Sequence, residues 1–140
     1  MGALAGSLLL GVTACTPLDR VAVRQIDSQM VFVVCDKINV QEFVVLAKSE
    51  SDAGAELVPY WDASGEGTFG PGDPVTYGVV PEGFETSKGP IELPLSDARI
   101  SFTAIERGGR SSVEGVYVAS EISDAYWLQM GGDHTDEACA

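Results

Sequence analysis

The chain has 140 residues, 45% of them hydrophobic, so it has the size of one ordinary domain and enough apolar side chains for a core. Its 21 acidic and 8 basic residues give a formal net charge of −13 at pH 7. This charge argues against nucleic acid as a partner, because phosphate contacts need clustered Lys and Arg, and against electrostatic adhesion to anionic lipid. The acidic surplus predicts a solvated, self-repelling surface, with a site for cations or a basic partner as the alternative.

An apolar run interrupted only by Gly and Ser, from Ala3 to Val12, opens the chain, and the first charged residue is Asp19. A membrane-spanning helix needs about 20 apolar residues, so this run is too short to be one. Its length is typical of the hydrophobic region of a secretion signal. An ordinary signal peptide and a buried N-terminal helix are two interpretations of this run.

The residues that follow the run, Val12-Thr13-Ala14-Cys15, resemble the lipobox of bacterial lipoproteins. The resemblance implies a diacylglycerol linked to Cys15 by a thioether, cleavage after Ala14, and a protein anchored on the extracytoplasmic face of the cell membrane. Basic residues normally precede such a run and are absent here, which indicates a start upstream of Met1 or a clipped leader. The composition is similar to that of small lipoproteins of actinobacteria.

The chain is therefore divided into a signal peptide (residues 1–14), a short tether (15–19) and one domain (20–140). Four strands are predicted in the first half of the domain, at residues 20–25, 30–36, 40–48 and 55–61. The first two flank a hairpin turn at Ile26 to Gln29, and Pro59 marks an edge or a bulge in the fourth.

Residues 65–94 contain 12 Gly and Pro, which predicts loops with short strands such as residues 74–80. Strands at residues 99–106 and 111–120 surround a turn at Arg107 to Arg110, where Gly-Gly suits a two-residue turn. Residues 123–130 form either a helical turn capped by Ser123 or a last short strand. About seven short strands predict an all-β protein, an immunoglobulin-like antiparallel β-sandwich.

Two cysteines, Cys35 and Cys139, remain once Cys15 carries lipid, and an oxidising compartment favours a disulfide between them. Such a bridge would tie the end of the chain to the strand that contains Cys35. A free, buried Cys35 is the alternative. Tyr126 and Trp127 are expected in the core near the bridge.

No pattern predicts catalysis. His134 is the single histidine, and the chain contains neither a Gly-x-Ser-x-Gly nor a Cys-x-x-Cys sequence. Nothing singles out two carboxylates among the 21 acids for glycoside hydrolysis. We predict no catalytic residue and no cofactor.

Two segments could hold a metal ion. Residues 62–73 loosely resemble a calcium loop, with Asp62, Ser64 and Glu66 at alternate positions, but their many Gly and Pro favour a plain connection between strands. The acidic tail is predicted to be solvated rather than metal-binding, although it offers Asp133, His134, Asp136 and Glu137. We predict no metal site.

Four aromatic residues flank the glycine-rich segment and are either core residues or a binding surface: Tyr60, Trp61, Phe69 and Tyr77. Core filling is the commoner role, and exposure at one end of the sandwich would make them the candidate binding surface.

Together these features predict a lipid-anchored extracytoplasmic binding module without catalytic activity. Its partners would be the membrane, through the lipid on Cys15, and another surface protein or a wall component. The alternatives are a calcium- or metal-binding surface protein and a hydrolase acting on wall polysaccharide.

Overall fold

The structure is a computed structural model that describes residues 21–109 and 111–139. The lipobox, with Ala14 and Cys15, and the tether lie outside the described residues. Within the described ranges no helix has the length and hydropathy needed to span a membrane.

The described part of the chain has ten strands and one 3₁₀ turn, Ala119–Glu121. The longer strands such as β3 alternate buried and more exposed side chains. The strands in chain order are β1 (Val21–Ile26), β2 (Gln29–Val34), β3 (Ile38–Lys48), β4 (Val58–Phe69), β5 (Pro74–Thr76), β6 (Phe84–Lys88), β7 (Arg99–Glu106), β8 (Ser112–Val118), β9 (Trp127–Gln129) and β10 (His134–Thr135).

The strands form two antiparallel five-stranded sheets with the orders β10-β9-β1-β2-β5 and β6-β4-β3-β7-β8. The predicted all-β sandwich is confirmed. The second sheet has the strand order of an immunoglobulin variable-type sheet. The first sheet differs from that fold, because β5 pairs with β2 although its neighbours in the chain, β4 and β6, both belong to the second sheet. More strands are present than the seven or so predicted. β6 lies in the segment predicted to be mostly loops, and β10 has only 2 residues, too few for any periodicity. β9 is the last short strand that was one of the two alternatives for residues 123–130.

The β1–β2 hairpin fixes the two ends of the sandwich. Asp27 and Ser28 have φ values of 52° and 67°, as a two-residue primed turn requires, and Ile26 pairs with Gln29. The turn predicted from the sequence is therefore confirmed. Because β1 runs straight from Val21 to the turn, we call the two ends of the sandwich the Val21 end and the Ile26 end.

Aromatic rings from both sheets fill the core. Phe32 of β2 stacks on Phe102 of β7 with centroids 4.4 Å apart, and Phe43 of β3 meets Phe69 edge-on at 5.1 Å. Such pairs contribute about 0.5–1.5 kcal/mol each beyond the burial of their area. The Tyr117 hydroxyl donates a hydrogen bond to the Val21 carbonyl and so joins the edge strand β8 of the second sheet to the central strand β1 of the first.

β4 is longer than predicted, and residues 62–69 continue it instead of forming a connection. Gly65 is required within this strand because a Cβ there would overlap the carbonyl oxygen of Gly83. Gly65 therefore allows β4 to pack closely against Gly83 and does not form a turn. The register shift between Val45 and Leu46 places a bulge beside Pro59, as predicted.

The end of the chain covers the outer face of β2. Val31, Val33 and Cys35 form a small buried cluster with Trp127, Ala138 and Cys139. Cys35 and Cys139 are joined by a disulfide with a Cα–Cα distance of 5.4 Å, which confirms the predicted bridge. Trp127 is half-buried and packs against this cluster beside the bridge, as predicted for its position. Tyr126 is also half-buried, but it stacks on His134 at 3.8 Å.

The double variant Cys35→Ala/Cys139→Ala is expected to lower the free energy of unfolding by about 2–5 kcal/mol. The bridge joins residues separated by 104 positions, so its loss frees the unfolded chain and releases the cover of β2. Urea unfolding followed by tryptophan fluorescence measures the change. Cys15→Ala is the matched control and should leave the urea midpoint unchanged. Equal midpoints for the double variant and the wild type would show that the bridge does not stabilise the fold.

Candidate functional site

Large apolar side chains are exposed almost entirely at one end of the molecule. Eight are exposed among the described residues: Ile26, Leu57, Val58, Val79, Val80, Ile91, Leu95 and Met130. The first seven lie on segments at the Ile26 end, and we call these seven the apolar rim. The eighth, Met130, follows β9 on the side of Val21, because Gln129 pairs with Ala22.

Hydrogen bonds show that these separate segments meet. The Tyr77 amide donates to the Met30 carbonyl at 2.8 Å, which attaches the turn before Val79 to the β1–β2 hairpin. The Ile91 amide donates to the Tyr60 carbonyl at 2.9 Å, which attaches the segment after β6 to the start of β4. The rim is therefore built by both sheets and the loops between them.

A groove of about 230 Å³ lies within the rim. We call it the hairpin groove, and it is lined by Gln25, Ser28, Gln29, Met30, Tyr77, Glu92, Leu93 and Leu95. Small-molecule sites usually enclose about 300–1,000 Å³, so the groove has the size for one or two side chains rather than a whole ligand. Its mixture of apolar walls and amide groups suits contact with another protein.

Tyr77 holds the groove in place. Its hydroxyl donates to the carbonyl oxygens of Ile91, at 2.5 Å, and Tyr60, at 3.2 Å. Burial raises the pKa of Tyr77 to about 12, so the hydroxyl stays a neutral donor at physiological pH. Its ring meets the buried Trp61 ring edge-on at 5.6 Å, which fixes the groove wall to the core.

The four aromatic residues pack against the core, which is the commoner of the two roles considered for them. Trp61 is 0% exposed, and Tyr60, Phe69 and Tyr77 are half-buried against the core. Trp61 and Phe69 take inward positions of β4, which must fill the space between the sheets. Tyr77 alone among them lines the groove.

The groove residues were missed by the sequence analysis. The short sequence Pro90-Ile-Glu-Leu-Pro-Leu95 carried the available signal, since it alternates apolar residues with Pro and Glu but is too short for a paired strand. Its apolar residues belong to the surface, where nothing in the described part of the chain covers Ile91 or Leu95 fully.

The segments considered for metal binding are spread out. Asp62, Ser64 and Glu66 lie on the extended strand β4 about 7 Å apart in succession, too far to share a calcium ion with ligand distances of about 2.3–2.6 Å. The tail is tied down by β10 and the disulfide rather than free in solvent. Among the described residues no group of three or more His, Cys, Asp or Glu could hold a metal ion.

One pair of carboxyl groups stands out on the outer face of the second sheet. Glu42 on β3 lies within hydrogen-bonding reach of Asp62 on β4, diagonal to the pair Val44 and Asp62. Burial raises the pKa of Glu42, and the hydrogen bond and repulsion from Asp62 raise it further. Glycoside hydrolysis needs about 5–9.5 Å between its two carboxyl groups, so these two are too close to act on either side of a sugar bond.

Comparisons of the chain with protein-family models, curated proteins and solved structures found no match. No activity or ligand is therefore transferred from a relative.

Glu42→Gln is expected to raise the free energy of unfolding at about pH 7 by about 0.2–1 kcal/mol, because it removes a like-charge pair between neighbouring strands. The raised pKa of Glu42 means that the folded state favours its protonated form. Protonated Glu42 therefore stabilises the wild-type fold below the unfolded pKa of 4.5, and this stabilisation is lost as the pH rises through the folded pKa. The gain from the substitution should therefore vanish at about pH 3.

Urea unfolding across this pH range tests the prediction. Glu114→Gln, on an exposed residue of the same face, is the control and should show a smaller gain. A stability gain for Glu42→Gln that is the same at both pH values would contradict the raised pKa.

Proposed function

We propose that the protein is a lipid-anchored binding module on the extracytoplasmic face of the cell membrane, without catalytic activity of its own. Its contact site is the hairpin groove with the apolar rim, and its partner there is another protein. The observation that carries the proposal is the gathering of seven of the eight exposed large apolar side chains at the Ile26 end. Exposed apolar side chains that gather in one region are typical of sites of interaction.

The compartment is supported by two features of the chain. The lipobox-like residues Val12 to Cys15 provide the anchor, and two acyl chains hold a protein at a bilayer that one would hold only weakly. The disulfide between Cys35 and Cys139 suits an oxidising environment outside the cytoplasm.

The anchor and the contact site lie at opposite ends of the domain. Cys15 precedes Val21 by six residues, which reach at most about 20 Å when fully extended. β1 then runs about 17–20 Å from Val21 to Ile26. The Val21 end therefore stays near the bilayer while the groove is presented away from it.

The partner's chemistry follows from the groove. Met30, Leu93 and Leu95 accept apolar side chains, and Gln25 and Gln29 offer amide groups to a partner's backbone. Glu92 lies in the groove, and the whole chain carries a net charge of −13. We therefore expect a partner surface with apolar side chains surrounded by Lys or Arg, since opposite charge accelerates association and excludes acidic competitors.

A photoreactive amino acid at Val79, which is 52% exposed, is expected to crosslink the anchored protein to a partner in host cells. The same substitution at Met130, 49% exposed and on the side of Val21, is the matched control and should give at least about tenfold less crosslinking. Leu95→Glu, which places a charge in the groove, should abolish the Val79 crosslink. Equal crosslinking from both positions, or a Val79 crosslink that survives Leu95→Glu, would contradict the proposed site.

The intact mass of the protein extracted from host membranes is expected to equal residues 15–140 plus diacylglycerol. The mass should rise by two hydrogens on reduction, because one disulfide is opened. Cys15→Ala should carry no lipid and leave the membrane fraction. An unlipidated full chain with three free thiols would rule out both the anchor and the compartment.

A further inference from the structure

The two sheets have four edge strands, and β8 differs from the other three. β10 and β5 have 2 and 3 residues, β5 begins with Pro74, and β6 ends with Lys88. Shortness, proline and lysine are the usual devices that prevent a sheet edge from pairing with another chain. β8 has 7 residues and contains neither proline nor a basic residue.

The register identifies which backbone groups of β8 are free. The Glu106 amide donates to the Ser111 carbonyl at 2.9 Å, and the Ala119 amide donates to the Ala98 carbonyl at 2.8 Å. In an antiparallel ladder the hydrogen-bonded pairs recur at every second residue, so between these bonds the odd-numbered residues of β8 bond to β7. The even-numbered residues from Ser112 to Val118 therefore direct their N–H and C=O groups away from β7. No strand within the described ranges pairs with that side.

A cleft runs beside the second half of this free edge. It has a volume of about 250 Å³ and separates β8 from the turn between β9 and β10. Val116 and Val118 line it together with Leu128 and Gly131. The charged lining residues are Glu121 and Arg99, and the charge of Arg99 is already paired with Glu50 at 2.9 Å. A strand added to β8 would place an alternate side chain into this cleft.

We infer that the free edge of β8 is a second docking site, which takes an extended, basic segment of a partner protein as an added strand. Main-chain hydrogen bonds to the even-numbered residues supply affinity, and the cleft beside Val116 selects the side chain that enters it. Glu114, exposed in the strand, and Glu121 favour Lys or Arg in that segment.

A second copy of the chain is a poorer occupant. Each copy carries a net charge of −13, and two-fold pairing of two β8 strands would place both Glu114 side chains on one face near the axis. The edge also shares no lining residue with the hairpin groove, so the inference does not depend on the proposed function.

Amide hydrogen exchange of the full-length chain, measured by NMR, tests the inference. The probe is a synthetic peptide of about nine residues in which valine alternates with lysine and threonine. Without peptide, the amides of the even-numbered residues from Ser112 to Val118 should exchange at least about tenfold faster than those of Val113, Gly115 and Tyr117. Peptide at about millimolar concentration should slow the even-numbered amides by about tenfold or more.

Val116→Pro removes one outward N–H without breaking the ladder to β7, and it should weaken peptide binding by about tenfold. Val116→Thr keeps the N–H and the β-branched shape and is the matched control, expected to bind as the wild type does. Leu95→Glu should also bind the peptide normally, which separates this edge from the hairpin groove.

Three outcomes would overturn the inference. The first is no slowing of the even-numbered amides at millimolar peptide, and the second is equal loss of binding in Val116→Pro and Val116→Thr. The third is protection of these amides without peptide that increases with protein concentration, since a second copy would then occupy the edge.

Discussion

The fold depends on the burial of β2 on both of its faces. Five consecutive residues from Met30 to Val34 are buried, which a strand at the surface of a two-layer sandwich does not achieve by itself. One face enters the aromatic core, where Phe32 stacks on Phe102. The other face needs its own cover, and the last residues of the chain provide it. The disulfide at Cys35 keeps that cover in place, so β2 and the segment that ends at Cys139 become parts of one structural unit.

The same arrangement gives the molecule two different ends. The disulfide lies at the Val21 end, whereas loops with uncovered apolar side chains gather at the Ile26 end. A core that is closed by aromatic rings allows these loops to stay exposed, because stability does not require their burial. Tyr77 connects the closed core to the exposed loops. Its ring packs on the buried Trp61, and its hydroxyl holds the segment around Ile91 that forms the groove.

Sequence patterns predicted the long, strictly alternating strands well. β7 was predicted with its observed bounds, and the turn at Asp27 and Ser28 and the Cys35–Cys139 bridge were also anticipated. The continuation of β4 through its glycines could not be predicted, because only the packing of Gly65 against Gly83 shows that glycine serves close approach there. The groove and the Glu42–Asp62 pair depend on register between distant strands, which local periodicity does not contain.

The bridge at Cys35 also has a topological consequence. Val21 pairs with Val34, and Cys139 is bonded to the residue directly after Val34, so the chain enters and leaves the domain at the same place. Any sequence appended to the C-terminus would therefore emerge beside Val21, at the Val21 end of the sandwich. The loop between β3 and β4 is at the opposite end, so a short insertion there would be displayed outward and would leave both termini undisturbed.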